Sequence, residues 1–262
     1  MTKPLTRSGI PNASRVVVKV GSSSISGANA GQIAPLVDAL AAAHARGTEV
    51  VLVSSGAIAT GMPFLKLDAR PTDLATQQAA AAVGQNLLIY RYQESLRRFE
   101  IVAGQVLLTA GDLENPAHRS NAERAMERLL GLRILPIVNE NDTVATQEIR
   151  FGDNDRLAAL VAELVSADLL VLLSDVDGLY TKPPHEAGAE RIPEVAFGNE
   201  LLDVEFGDIG TAGVGSGGAS TKVAAARHAA ASGTPVLVTA TAQAADALAG
   251  ADIGTWFAAA PS

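Results

Sequence analysis

The sequence predicts an α/β protein, a three-layer αβα sandwich around a mainly parallel central sheet. Three observations predict it. Short, almost wholly apolar runs recur along the chain, as strands buried on both faces of a parallel sheet do. Longer Ala/Leu-rich segments with helical spacing separate them. Polar residues gather where the apolar runs end, and in such folds ligands sit beyond the carboxyl ends of the strands.

The strands are expected at "RVVVKV" (15–20), "EVVLVS" (49–54), "ILPIVN" (134–139), "DLLVLLS" (168–174) and "PVLVTA" (235–240). "EIVAGQVLL" (100–108) is a weaker strand of the same kind. The segment 33–47 sets Leu36, Val37, Leu40 and Ala41 on one helical stripe and stops at Gly47. "SNAERAMERLLG" (120–131) opens with Ser120 and Glu123 at capping-box spacing, so a helix is expected to start there. "RLAALVAELVSA" (156–167) and "ASTKVAAARHAAASG" (219–233) are two further helices. No internal repeat or low-complexity linker divides the chain. The least regular part, 183–218, reads as a long functional connection.

Composition narrows the function. The 262 residues are 48% hydrophobic and 18% charged, which is a globular balance. The formal net charge of -8 argues against a nucleic-acid or membrane partner. There is no cysteine, which excludes thiol chemistry and disulfides and fits a cytoplasmic location. No apolar stretch approaches the roughly 20 residues of a membrane span.

The strand ends carry the chemistry. Lys19 interrupts the first apolar run and is followed by "GSSS" (21–24). Two readings are open for it: an edge-strand lysine that discourages aggregation, or a charge for a phosphoryl group beside a glycine turn. Ser54, Ser55 and Gly56 follow the second strand, as a helix cap or as donors to a small carboxylate. "NENDTVA" (139–145) brings Asn139, Glu140, Asn141 and Asp142 together, and Asp153, Asn154 and Asp155 precede a helix. One such residue suffices for a cap, and three exceed that need. Carboxylates near phosphates repel them unless they hold lysines or magnesium, or grip a substrate ammonium group.

"GVGSGGASTK" (213–222) contains Gly213-x-Gly215-x-x-Gly218, but no buried strand precedes it and no acid ends the next strand, so a nicotinamide-dependent oxidoreductase is disfavoured. Its lysine follows the Ser/Thr pair, the reverse of a P-loop. What remains is a glycine-rich turn at a helix N-terminus, with Ser216, Ser220, Thr221 and Lys222 available to phosphates. "SDVDGLYTKPP" (174–184) lacks the remaining calcium ligands of an EF-hand, and "HEAGA" (185–189) lacks the second histidine of a zinc protease.

Together and in this order, "VVVKVGSSS", "VSSGAIATGM", "QQAAAAVGQNLL", "PIVNENDTVAT", "FGDNDRLAALVA", "LLSDVDGLYTKPP" and "GSGGASTKVAAA" resemble the amino acid kinase family over nearly the whole chain. Within it they are similar to the members that phosphorylate the γ-carboxylate of L-glutamate, the first step of proline biosynthesis. The resemblance implies the amino acid kinase fold in a single domain over 1–262, its N-terminal part mainly binding glutamate and its C-terminal part mainly binding ATP. It implies that Lys19, Lys222 and Asp155 are catalytic, with Asp155 holding the two lysines. It implies glutamate binding by Ser55, Gly56, Asp142 and Asn154. It implies nucleotide binding by Lys19, Gly21, Ser174, Asp175, Ser216, Gly217, Gly218, Ala219, Ser220, Thr221 and Lys222, with Mg2+ bridging the ATP phosphates. Proline is then expected as a feedback inhibitor and a homo-oligomer as the assembly. Many members continue into a C-terminal domain that resembles RNA-modifying enzymes; this chain is expected to be the kinase domain without it. A non-catalytic amino-acid sensor on the same fold would not need both lysines and Asp155.

Overall fold

The computed structural model describes residues 3–145, 154–202, 204 and 218–261. The first half runs β1 (Arg15–Lys19), α1 (Ile33–Ala45), β2 (Glu49–Val53), α2 (Ala57–Gly61), α3 (Leu74–Arg97), β3 (Ala103–Leu108), α4 (Ala110–Glu114), α5 (Pro116–Gly131) and β4 (Leu135–Glu140). The second half runs α6 (Asn154–Leu164), β5 (Leu169–Ser174), β6 (Leu179–Tyr180), β7 (Arg191–Ile192), β8 (Glu194–Val195), α7 (Ala219–Ala231), β9 (Val236–Ala240), α8 (Ala244–Leu248) and β10 (Thr255–Phe257). One sheet has the strand order β3-β4-β2-β1-β5-β9-β10-β8, and β6 pairs with β7 as a separate ribbon. The strands from β3 to β9 in that order are all parallel.

The period-two alternation of the strands builds the three layers. Val16, Val18, Leu52 and Val171 pack with Leu36, Leu40, Leu88 and Tyr92 under α1 and α3. Val17, Val51, Val53 and Leu172 pack with Met126, Leu130, Val161 and Ala226 under α5, α6 and α7. Lys19 is two residues on from Val17 and so emerges on the α6/α7 face. Its strand lies between β2 and β5, in the middle of the sheet. The edge-strand reading of Lys19 is therefore excluded. From β1 the chain builds β2, β4 and β3 on one side and β5 and β9 on the other. The crevice beyond the carboxyl end of β1 is the topological switch point, where such sheets bind ligands.

Two helices on one flank touch backbone to backbone. A Cβ on Gly84 of α3 would stand 1.8 Å from the Ala57 carbonyl oxygen, and one on Gly61 of α2 would stand 2.0 Å from that of Ala80. Only glycine permits this approach, and it fixes α2 and the Ser55–Gly56 turn before it.

Two local expectations are corrected. Helix α5 begins at Pro116, not Ser120: Asn115 caps it, accepting from the N–H groups of Ala117 (3.0 Å) and His118 (3.2 Å). Ser120 lies inside the helix, whose first turn, Pro116 to Arg119, is mostly exposed and carries no apolar period. The capping box of this region is instead Thr109 with Asp112, on α4. Second, the serine before α2 does not cap it. The cap position is Gly56, with φ +97, and no side chain bonds there. A left-handed φ suits glycine, and it frees the Ser55 side chain for another use.

Candidate active site

Lys19 ends β1 and is 2% exposed; Asp155, in the first turn of α6, is 0% exposed. The Lys19 Nζ pairs with Asp155 Oδ1. Lys222, in the first turn of α7, places its Nζ 3.2 Å from Asp155 Oδ2. Thr221 Oγ1 donates to the same Oδ2 at 3.3 Å. The three residues expected to be catalytic thus meet, although they come from three elements far apart in sequence. One buried carboxylate holds two ammonium groups, so the cluster carries one excess positive charge. An excess cation at the switch point, set in low dielectric, suits a phosphoryl group whose charge moves. Gly21 lies beside it. A Cβ there would stand in ordinary contact with the Lys19 Nζ, at 3.9 Å, so the turn passes close to that ammonium.

Beside this cluster is a pocket of about 460 Å³, counting its open mouth. Ser55, Gly56, Asp142 and Asn154, the four residues expected to bind substrate, all line it. Ser22, Arg70, Asn139 and Glu140 line it too. A chain of buried amides supports one wall. Asn154 Nδ2 donates to the Ser54 carbonyl at 2.5 Å and to Asn139 Oδ1 at 2.7 Å, and Asn139 Nδ2 donates to Gln85 Oε1 at 2.6 Å. The Ser54 hydroxyl meets the buried Tyr92 hydroxyl at 2.9 Å. Burial, with the charge of Asp142 adding to it, pushes the Glu140 carboxyl up to about 7. Burial pushes Asp142 up to about 6, against the opposing charge of Arg70.

Of the residues expected to bind nucleotide, Ser174 ends β5, and its carbonyl accepts from Thr241 Oγ1 at 3.2 Å. Asp175 Oδ1 accepts from Ser23 Oγ at 3.0 Å and Ser24 Oγ at 2.9 Å, which ties the loop after β5 to the turn after β1. Gly218 precedes α7, and Ala219, Ser220, Thr221 and Lys222 form its first turn. Ser216 and Gly217 lie outside the described residues, as does Asp153.

Sequence reasoning assigned no role to Arg70, Gln85 or Tyr92. Arg70 stands in an irregular connection with no periodic signal. Gln85 and Tyr92 are seven residues apart on one face of α3 and read as ordinary core spacing. Glu140 and Asn139 were visible in "NENDTVA" but not separable there from Asp142.

The amino acid kinase family model matches residues 14–240. The glutamate 5-kinase of Clavibacter sepedonicus is 78% identical over 97% of this chain and 97% of that protein. The glutamate 5-kinase of Streptomyces coelicolor is 57% identical over 96% of this chain but only 68% of that longer protein. A solved carbamate kinase from Giardia lamblia, bound to AMP-PNP, shares the fold with a TM-score of 0.66 at 17% identity, covering 95% of this chain and 100% of that one. The chain belongs to the amino acid kinase family, among its glutamate 5-kinases.

Proposed function

We propose that this chain transfers the γ-phosphoryl group of ATP to the γ-carboxylate of L-glutamate, giving γ-glutamyl phosphate for proline biosynthesis. The observation that carries the reading is the Lys19–Asp155–Lys222 cluster beside a pocket whose lining includes Glu140 and Asp142. A carboxylate oxygen attacks the γ-phosphorus, and the bond from that phosphorus to the β–γ bridging oxygen breaks. The acceptor is already ionised, so no general base is needed. Catalysis then rests on placement and charge. Asp155 fixes two ammonium groups in advance, so their reorganisation costs little when charge shifts in the transition state.

In this reading Ser55, Gly56, Asp142 and Asn154 grip the amino acid. Gly21, Ser174, Asp175 and the segment 216–222 hold ATP, and a single domain serves both substrates. A divalent metal accompanies ATP in such kinases. Among the described residues no group of three acidic or histidine side chains is placed to hold a metal alone. Asp155 is committed to two lysines. These residues fit an ion that arrives on the nucleotide, such as Mg2+ on the ATP phosphates, where it draws charge from their oxygens.

Trapping with hydroxylamine tests the reading. Folded chain with ATP, Mg2+ and L-glutamate should give γ-glutamyl hydroxamate, while N-acetylglutamate, aspartate, carbamate and UMP should be poor acceptors. Absence of the glutamate adduct would contradict the assignment.

Proline belongs to the same proposal as a competitor of glutamate. It shares the five-carbon skeleton, the α-carboxylate and the α-nitrogen, but has no carboxylate to phosphorylate. Raising glutamate should relieve its inhibition. Self-association is proposed as well. Val83 and Tyr90, exposed seven residues apart on α3, offer a second copy apolar surface, and light scattering reads the mass. No described helix is long and apolar enough to cross a membrane, and a cytoplasmic setting is part of the reading.

A further inference from the structure

The hydrogen bonds fix the electrical polarity of the amino-acid pocket. The Glu140 N–H donates to Asn139 Oδ1 at 2.9 Å, and a backbone N–H can only donate. That orients the Asn139 amide, whose Nδ2 then faces Gln85 Oε1. Asn154 must meet the Asn139 oxygen with its own Nδ2, and the same nitrogen donates to the Ser54 carbonyl. Two backbone groups therefore fix the whole chain of amides. Both Nδ2 protons of Asn154 are used, and what it can offer a ligand is Oδ1, an acceptor. Glu140 and Asp142 line the same pocket and also accept when ionised. Such a wall attracts an ammonium group and repels a carboxylate.

An α-amino dicarboxylic acid brings one ammonium and two carboxylates. Its γ-carboxylate goes to the lysine cluster. Its α-carboxylate stays one carbon from the ammonium, and so arrives beside the acidic wall. It needs a positive partner there. Among the described residues that line the pocket, Arg70 is the one cation. It stands on the connection between Leu65 and α3, and its charge reaches Asp142. A guanidinium matches a carboxylate with two parallel hydrogen bonds.

We infer that Arg70 receives the α-carboxylate of the acceptor and so makes the pocket selective for α-amino acids. The role rests on glutamate being the acceptor, as proposed above. A merely supporting role for Arg70, steadying Asp142, differs in one respect. It would affect every ligand that uses the ammonium site, whether or not the ligand has an α-carboxylate.

Steady-state kinetics of Arg70→Ala and Arg70→Lys separate these cases, with thermal melts to confirm folding. Arg70 is exposed, so both variants should fold as the wild type does. Arg70→Ala should raise the KM for glutamate about tenfold or more and leave kcat nearly unchanged, because the contact is remote from the reacting carboxylate. Arg70→Lys should recover part of that loss. The inhibition constant of 4-aminobutyrate, which is glutamate without its α-carboxylate, should stay within about twofold of wild type. An unchanged glutamate KM, a fall in kcat alone, or equal losses for glutamate and 4-aminobutyrate would overturn the inference. Wild-type chain that makes no hydroxamate from glutamate would remove the function itself, whereas hydroxamate formation with an indifferent Arg70 would remove only this role.

Discussion

The two ends of the site handle charge in opposite ways. At the phosphoryl end, Lys19 and Asp155 are buried and Lys222 closes the cluster, each charge set against another. At the amino-acid end, Glu140 and Asp142 stand half-buried beside each other, opposed by the exposed Arg70. The first end is assembled before any ligand arrives. The second is left with acidic groups that burial disfavours, and in the proposed function a ligand ammonium completes it. A preassembled end should govern turnover, and an end completed by its ligand should govern affinity and pH response.

The largest effect is expected from breaking the preassembled end at its centre. Asp155→Asn leaves the buried Lys19 without its counter-charge. Removing one partner of a buried pair costs about 3–5 kcal/mol, so urea unfolding should show a loss of that order. Activity should fall on the order of 1000-fold, since both lysines lose their anchor. Near-normal stability in this variant would mean that the pair does not hold the cluster together.

Next is Lys19→Ala, which leaves the Lys222–Asp155 pair in place. It should lower kcat on the order of 100-fold with little change in the glutamate KM.

The smallest effect is the pH response of the open end. Glu140 and Asp142 lie above their ordinary values, near 7 and 6, and so favour protonation in the folded state. Such groups contribute most stability below their unfolded values and lose it as pH rises through the folded ones. Ligand-free chain should therefore lose some stability to urea between about pH 4.5 and pH 7.5 through these groups, and Glu140→Gln with Asp142→Asn should flatten that slope. Over the upper part of the range the glutamate KM should fall as pH rises, because the ammonium is gripped by ionised acids. A KM that is flat from about pH 6 to pH 7.5 would remove these acids from ammonium binding.

Much of the phosphoryl end was legible in the sequence. A lysine inside an all-apolar strand breaks the pattern, and a strand's period of two carries it to a definite face. The central place of β1 was not legible, because strand order is a long-range property. The strands β8 and β10, of two and three residues, are too short to show a period. At the amino-acid end, Asp142 and Asn154 stood out by clustering with other acids and amides. Arg70 did not, since its connection has no repeat and its partner lies some seventy residues away. The start of α5 was misplaced because Ser120 and Glu123 have capping-box spacing inside a helix that Asn115 already caps. Spacing names a device, but only the surrounding backbone decides whether it is used.

The two ends of the site are expected to divide the labour of binding and turnover. Lys222→Ala and Asp142→Ala, compared side by side in steady-state assays across glutamate concentrations, test this division most directly. Lys222→Ala should lower kcat on the order of 100-fold at a similar glutamate KM, and Asp142→Ala should raise that KM about tenfold or more at a similar kcat. A Lys222→Ala chain changed only in KM, or an Asp142→Ala chain changed only in kcat, would contradict it.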